Sequence, residues 1–141
     1  MTPDQIDLVQ QSFRNVAPIR KEAAAIFYRR LFSIDPTLRA LFSASDMAEQ
    51  GQKLMASLGL VVQGLKDPAA IMPAVEALAR RHVGYGVRDE QYPIVGRALI
   101  ETLEEGLGEA FTPQAREAWL AAYALLSGVM IGAANRVPSA E

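Results

Sequence analysis

The fold is decided by residues 26–42, which read IFYRRLFSIDPTLRALF. Apolar residues recur at helical spacing as far as Ile34, and this predicts one buried face of a helix. Asp35-Pro36 then predicts a new helix start, because the carboxylate accepts unpaired amide protons and proline carries none. A short helix near residues 36–41 follows from that start. We therefore expect two consecutive helices joined by a very short connection.

Similar start signals recur along the chain. Thr2-Pro3-Asp4-Gln5 combines a capping-box threonine with a proline at the first helical position. Further starts are predicted at Pro18, Asp67-Pro68 and Thr112-Pro113. The sequence lacks the alternating apolar runs that are typical of strands. It therefore predicts an all-α protein with about seven helices in a single domain, residues 1–141.

Composition excludes several classes of function. The 141 residues are half hydrophobic, carry a net charge of -2 and include no cysteine and one histidine. Without clustered positive charge, no binding of nucleic acid is expected. Without cysteine, disulfides, iron–sulfur clusters and thiolate zinc sites are excluded. The N-terminus lacks the basic and apolar regions of a signal peptide, so a cytoplasmic location is expected.

The stretch Ala118 to Asn135 has no charged residue and approaches the length of a membrane span. It also contains Ser127, Gly128 and Gly132, and no basic cluster flanks it on one side. A helix that is apolar all round is also typical of the centre of a helical domain. We therefore expect a buried helix and no membrane insertion.

His82 follows Val75 and Leu78 on the apolar face of its predicted helix. One interpretation is a hydrogen-bonded histidine at the edge of the core. The other is a ligand of haem iron, since a neutral imidazole is the usual proximal ligand of oxygen-binding haem. With a single histidine, the opposite side of such an iron would remain open to a small ligand.

Three further residues could carry chemistry. Gln50 lies four residues before Leu54, on the same helix face, and is either a surface residue or a donor aimed into a pocket. Tyr28 needs a hydrogen-bond partner if it is buried. Phe42 ends the short predicted helix and is compatible with ordinary core packing. Taken singly, none of these residues identifies a function.

Their joint order resembles a known family. Tyr28, Phe42, Gln50, Leu54 and His82 follow one another with the spacings of the bacterial single-domain haemoglobins. This group includes the Vitreoscilla-type proteins and the globin heads of flavohaemoglobins, and the chain is most similar to the Hell's Gate type of globin. The resemblance covers essentially the whole chain. Its most specific stretches are 31–42, Lys53-Leu54-Met55, Arg80-Arg81-His82 and 91–96, with Trp119 and Tyr123 in the last helix.

The resemblance implies a globin fold around one haem b, with a role for each matching residue. His82 would ligate the iron, Phe42 would stack on the haem, and Leu54 would line the distal side. Tyr28 and Gln50 would donate hydrogen bonds to bound gas. Lys53 and Arg81 would reach the haem propionates, although a plain surface charge explains each equally well.

Two features depart from the family pattern. The family commonly pairs the proximal histidine with a tyrosine and a buried carboxylate of the last helix. Tyr92 occupies the tyrosine position, but residues 130–135 contain no carboxylate. A more neutral His82 is therefore expected, and peroxidase activity is not. The sequence also ends at Glu141, so no reductase domain is expected within it.

The first functional hypothesis is reversible binding of dioxygen, carbon monoxide and nitric oxide, for oxygen storage, delivery or scavenging. The second is nitric oxide dioxygenase activity with a separate reductase. A haem-based gas sensor and a haem-free helical scaffold complete the alternatives. A monomer or weak homodimer is expected, because the small residues of the last helix allow close packing within or between chains.

Overall fold

The computed structural model describes residues 1–42, 46–84 and 87–135. These ranges contain six α-helices and no strand. The helices are α1 (Pro3–Val16), α2 (Arg20–Ile34), α3 (Met47–Gln63), α4 (Pro68–Gly84), α5 (Tyr92–Leu107) and α6 (Pro113–Asn135). The all-α prediction is confirmed.

The predicted number of about seven helices is one too high for α-helices. The short helix predicted near residues 36–41 is a 3₁₀ helix, Pro36–Phe42. Asp35 caps it, since its carboxylate accepts a hydrogen bond from the Thr37 amide at 3.0 Å. The tighter 3₁₀ geometry is common in short connecting pieces such as this one.

The predicted caps form as hydrogen bonds at both ends of the chain. Thr2 and Gln5 make a reciprocal capping box with distances of 3.0 and 3.1 Å. The Thr112 hydroxyl accepts from the amide of Ala115 at 3.1 Å and starts α6. The start of α3 was not predicted, because Asp46 caps it without a following proline. Each cap satisfies amides that the first helical turn leaves unpaired.

Buried apolar side chains form two separate clusters. The larger one joins α1, α2, α3, α5 and α6 around residues such as Phe27, Leu99 and Trp119. The smaller one lies between α4 and α6 and includes Val75 and Met130. α3 takes part in both clusters. Leu78 of α4 packs against the smaller cluster, whereas Leu54 and Leu58 of α3 pack against the larger one.

Over the ranges described above, none of the helices combines the length and the apolarity that a bilayer crossing requires. α6, which contains most of the uncharged stretch, buries Ala118, Ala122 and Met130 against the rest of the protein. The stretch is therefore apolar because it contributes buried side chains to the protein core.

Candidate functional site

His82 lies in the last turn of α4 and is half-buried. Its Nδ1 is 2.8 Å from the backbone carbonyl oxygen of Leu78. A carbonyl only accepts, so Nδ1 carries the proton and the lone pair of the neutral ring is on Nε2. Burial lowers the pKa of His82 below its usual range, and the charge of neighbouring Arg81 lowers it further. The imidazole is therefore neutral near pH 7 and in the tautomer that ligates a metal through Nε2.

Tyr92 packs beside this imidazole at the start of α5. The two rings are stacked, with centroids 6.5 Å apart and planes 23° apart. The backbone carbonyl of Tyr92 accepts a hydrogen bond of 2.6 Å from the hydroxyl of Tyr123 on α6. The Tyr123 ring is also in close contact with Gly96, where an added Cβ would lie only 2.6 Å from the ring. These contacts hold the start of α5, which carries Tyr92 beside His82, against α6.

Tyr28 lies at the centre of an aromatic group on α2 and the 3₁₀ helix. Its ring is 5.1 Å from Phe27, 6.0 Å from Phe32 and 5.4 Å from Phe42, measured between centroids. Its hydroxyl donates to the backbone carbonyl of Gln50 over a long distance of 3.4 Å. Burial raises the pKa of Tyr28 to about 12. The phenol is therefore a neutral hydrogen-bond donor held in place by neighbouring rings.

The remaining predicted site residues divide by exposure. Leu54 is half-buried and lies one helical turn after Gln50, on the same face of α3. Lys53 and Arg81 are exposed, next in sequence to Leu54 and His82. The structure thus brings Tyr28, Phe42 and Gln50 together in one group, and His82 and Tyr92 together in another.

Phe32 and Leu78 belong to this arrangement although sequence reasoning assigned them no role. Phe32 stacks on Tyr28, and the Leu78 carbonyl orients His82. Both are four residues away from the residue they contact, and this is the spacing of neighbours on one helix face. That spacing was the available signal in each case.

These residues suit a haem. Half-buried apolar side chains on α3 (Leu54 and Leu58) and on α4 (Leu78) match the apolar faces of the macrocycle. The neutral imidazole supplies one axial ligand of the type that haem iron takes. Within the described ranges, no group of three or more histidine or acidic side chains offers a site for a different metal.

The helical fold thus offers one neutral imidazole and, in a separate group, one half-buried phenol. The family model described as Globin matches residues 25–130. The chain therefore belongs to the globin family, and this membership implies that it binds haem.

Curated relatives agree with this assignment. A flavohemoprotein of Bordetella parapertussis is 37% identical over 130 residues, covering 88% of this chain and 32% of its own length. A flavohemoprotein of Vibrio cholerae is 31% identical, covering 93% of this chain and 34% of its own length. The chain thus spans about one third of the length of these relatives.

Two solved structures share the fold along nearly the whole chain. A bacterial globin from Campylobacter jejuni superposes with a TM-score of 0.85 at 22% identity, covering 96% of this chain and 98% of its own. An engineered carbene transferase, described as a candidate nitric oxide dioxygenase from Rhodothermus marinus, superposes with a TM-score of 0.87 at 26% identity. The match covers 97% of this chain and 95% of that one. The globin fold prediction is confirmed.

Proposed function

We propose that this chain binds dioxygen reversibly through a haem b ligated by His82, for oxygen storage, delivery or scavenging. Carbon monoxide and nitric oxide are further ligands. The observation that carries this proposal is Tyr28, a half-buried neutral phenol packed between aromatic rings, whose hydroxyl makes a long hydrogen bond. The donor–acceptor distance of 3.4 Å is well beyond the usual 2.7–2.8 Å, so this hydrogen bond is weak. The Tyr28 hydroxyl is therefore ready to donate its hydrogen bond to a better acceptor instead.

When bound, haem would supply the gas-binding chemistry, and a dioxygen ligand that accepts electron density would be partly anionic. Tyr28 and the amide of Gln50 then act as donors to that negative charge. Hydrogen bonds to charged groups contribute roughly 1.5–3 kcal/mol, which corresponds to about 10- to 100-fold slower release. Carbon monoxide is less polarised and gains less from the same donors.

The other residues would position the macrocycle. Phe42 would stack on it, Leu54 would cover the distal face, and Tyr92 would hold the imidazole plane from behind. Lys53 and Arg81 are exposed beside Leu54 and His82, where charged side chains would reach the propionates. The Nδ1 partner of His82 is a carbonyl and not a carboxylate, so this imidazole gains little negative character and peroxidase activity is not expected.

Nitric oxide dioxygenase activity is the second candidate. It is favoured by the similarity to flavohemoproteins and to the structure described as a candidate nitric oxide dioxygenase. One nitric oxide, one dioxygen and one electron give one nitrate, and a separate reductase would supply that electron at each turnover. Repeated turnover with a generic reductase supports this candidate, whereas a single stoichiometric reaction supports a carrier.

Visible spectra of the purified protein test the haem assignment. We expect a Soret band that shifts reversibly when the reduced protein meets oxygen and then carbon monoxide. His82→Ala should abolish these spectra or alter them strongly, and added imidazole should restore them because it replaces the lost ligand. Wild-type spectra in His82→Ala without imidazole, or no haem uptake by the parent protein, would contradict the proposal.

A further inference from the structure

α2 and α3 cross at a point where one of them has no side chain. An ideal Cβ built on Gly51 of α3 would lie 2.9 Å from the Cβ of Ala24 on α2. Two carbon atoms normally rest 3.5–4.0 Å apart. A Cβ is fixed to its backbone and has no freedom to rotate away, so any side chain at position 51 would force the two helices apart.

The crossing is next to the proposed ligand-binding residues on both helices. Gly51 directly follows Gln50, and Ala24 lies one helical turn before Tyr28. The hydroxyl of Tyr28 reaches the carbonyl of Gln50 across the same gap, at 3.4 Å. The helix separation that Gly51 permits therefore sets how closely these two residues approach.

The Tyr28 side chain has little freedom to follow α3 if the gap widens. Phe32 stacks on its ring from the next turn of α2, and Phe42 meets it edge-on from the 3₁₀ helix. Phe32 and Phe42 also contact each other, with centroids 5.6 Å apart. Tyr28 is thus held by α2 and the 3₁₀ helix, while Gln50 and Leu54 move with α3.

We propose that Gly51 is a positioning residue for the distal site: by allowing the close approach of α2 and α3 at Ala24, it makes the donors Tyr28 and Gln50 converge. Gly51 itself does not touch the ligand. This inference rests on the proposed function, because it assumes that Tyr28 donates to a bound gas.

Gly51→Ala is the primary test. Relief of the contact requires the helices to separate by about 0.6 Å, which carries the Tyr28 hydroxyl and the Gln50 carbonyl out of hydrogen-bond range. We expect oxygen to dissociate about fivefold faster because the donors no longer converge, with a smaller change for carbon monoxide.

The structure supplies both a rescue and a matched control. Adding Ala24→Gly removes the atom that the new methyl group meets, so this double variant should return to within about twofold of the parent rate. Gly59→Ala is the same substitution on the same helix, where the new Cβ meets only the Phe13 ring at an ordinary 3.5 Å. It should leave oxygen dissociation unchanged.

A second readout does not depend on haem. In apoprotein labelled with 3-fluorotyrosine, the ¹⁹F resonance of Tyr28 is assigned by its loss in Tyr28→Phe. Gly51→Ala should shift this resonance, the double variant should restore it, and Gly59→Ala should leave it in place. If Gly51→Ala does not fold, the double variant decides, since it should fold with the parent resonance and rate.

The outcomes separate the two proposals. An unchanged oxygen off-rate in Tyr28→Phe contradicts the donor role of Tyr28, and the ¹⁹F shift alone then decides whether Gly51 brings Gln50 of α3 up to the Tyr28 hydroxyl. If Tyr28→Phe accelerates oxygen release while Gly51→Ala changes neither rate nor resonance, the positioning role is overturned. The positioning role is also overturned if the double variant fails to restore both the oxygen off-rate and the ¹⁹F resonance.

Discussion

The two sides of the proposed haem pocket are held in different ways. On the proximal side, His82 is oriented by the carbonyl of Leu78, four residues earlier on the same helix. On the distal side, Tyr28 is placed by contacts with the 3₁₀ helix and with Gln50, 22 residues away in sequence. The proximal imidazole therefore depends mainly on local structure, whereas the distal donors depend on how helices cross. Substitutions that move helices should affect the distal side more.

The largest expected effect is that of Tyr28→Phe. It removes the hydroxyl but keeps the ring and its aromatic contacts, so oxygen should dissociate about 10- to 100-fold faster. Carbon monoxide dissociation should change much less. Stopped-flow or flash-photolysis rates for the two gases measure this difference, and equal changes for both would argue against a hydrogen bond to oxygen.

Gly96→Ala tests whether the proximal side also depends on helix crossing. The new Cβ would lie 2.6 Å from the Tyr123 ring, whose hydroxyl is anchored on Tyr92. We expect the free energy of unfolding to fall by about 1–3 kcal/mol through overpacking. Because the Leu78 carbonyl still orients His82, oxygen dissociation should stay within about twofold of the parent rate. Urea unfolding and gas kinetics on the same samples give both values. A large change in the oxygen dissociation rate would show that the proximal side, like the distal side, depends on how helices cross.

Alkaline pH gives a third test, centred on the burial of Tyr28. Its pKa is raised from 10.0 to about 12 in the folded protein. The folded state thus keeps a proton that the unfolded state loses, and the resulting stability is present below pH 10 and disappears as pH rises through about 12. The loss attributable to Tyr28 is about 3 kcal/mol.

Tyr28→Phe should therefore show a shallower decline of stability above pH 10 than the parent protein. Urea unfolding followed by circular dichroism measures this decline. Burial also raises the pKa of Tyr92 and Tyr123, so some decline should persist in the variant. Identical declines in both proteins would mean that the Tyr28 hydroxyl is better hydrated than its ring contacts indicate.

The smallest effect is expected on the outer side of α2. Arg29 and Arg30 pair with Glu105 of α5, and Arg30 also pairs with Glu101. The two pairs that involve Glu105 are exposed and screened by salt, so Glu105→Gln should cause only a slight, salt-dependent fall in Tm. The oxygen off-rate should not change. A clear change in that rate would show that the ion pairs, and not only the crossing at Gly51, set how closely Tyr28 and Gln50 approach.

Sequence reasoning recovered most of the fold and only part of the site. Capping residues identified the starts of α1, α4 and α6, because a cap depends on groups within three residues of it. It missed the start of α3 at Asp46 and the 3₁₀ character of Pro36–Phe42. Asp46 lacks the following proline that marks the predicted starts, and the choice of 3₁₀ over α geometry in Pro36–Phe42 depends on the helices that this segment must join.

The sequence by itself determined an all-helical chain and a single histidine on an apolar helix face. Its motif order also predicted the globin family. Only the tertiary structure decided that Tyr28 meets the Gln50 carbonyl, that Phe32 and Phe42 clamp it, and that Gly51 lets α2 approach α3. The physical reason is range: caps and i, i+4 contacts are fixed by covalent neighbours, whereas helix crossings are fixed by packing between residues far apart in the chain.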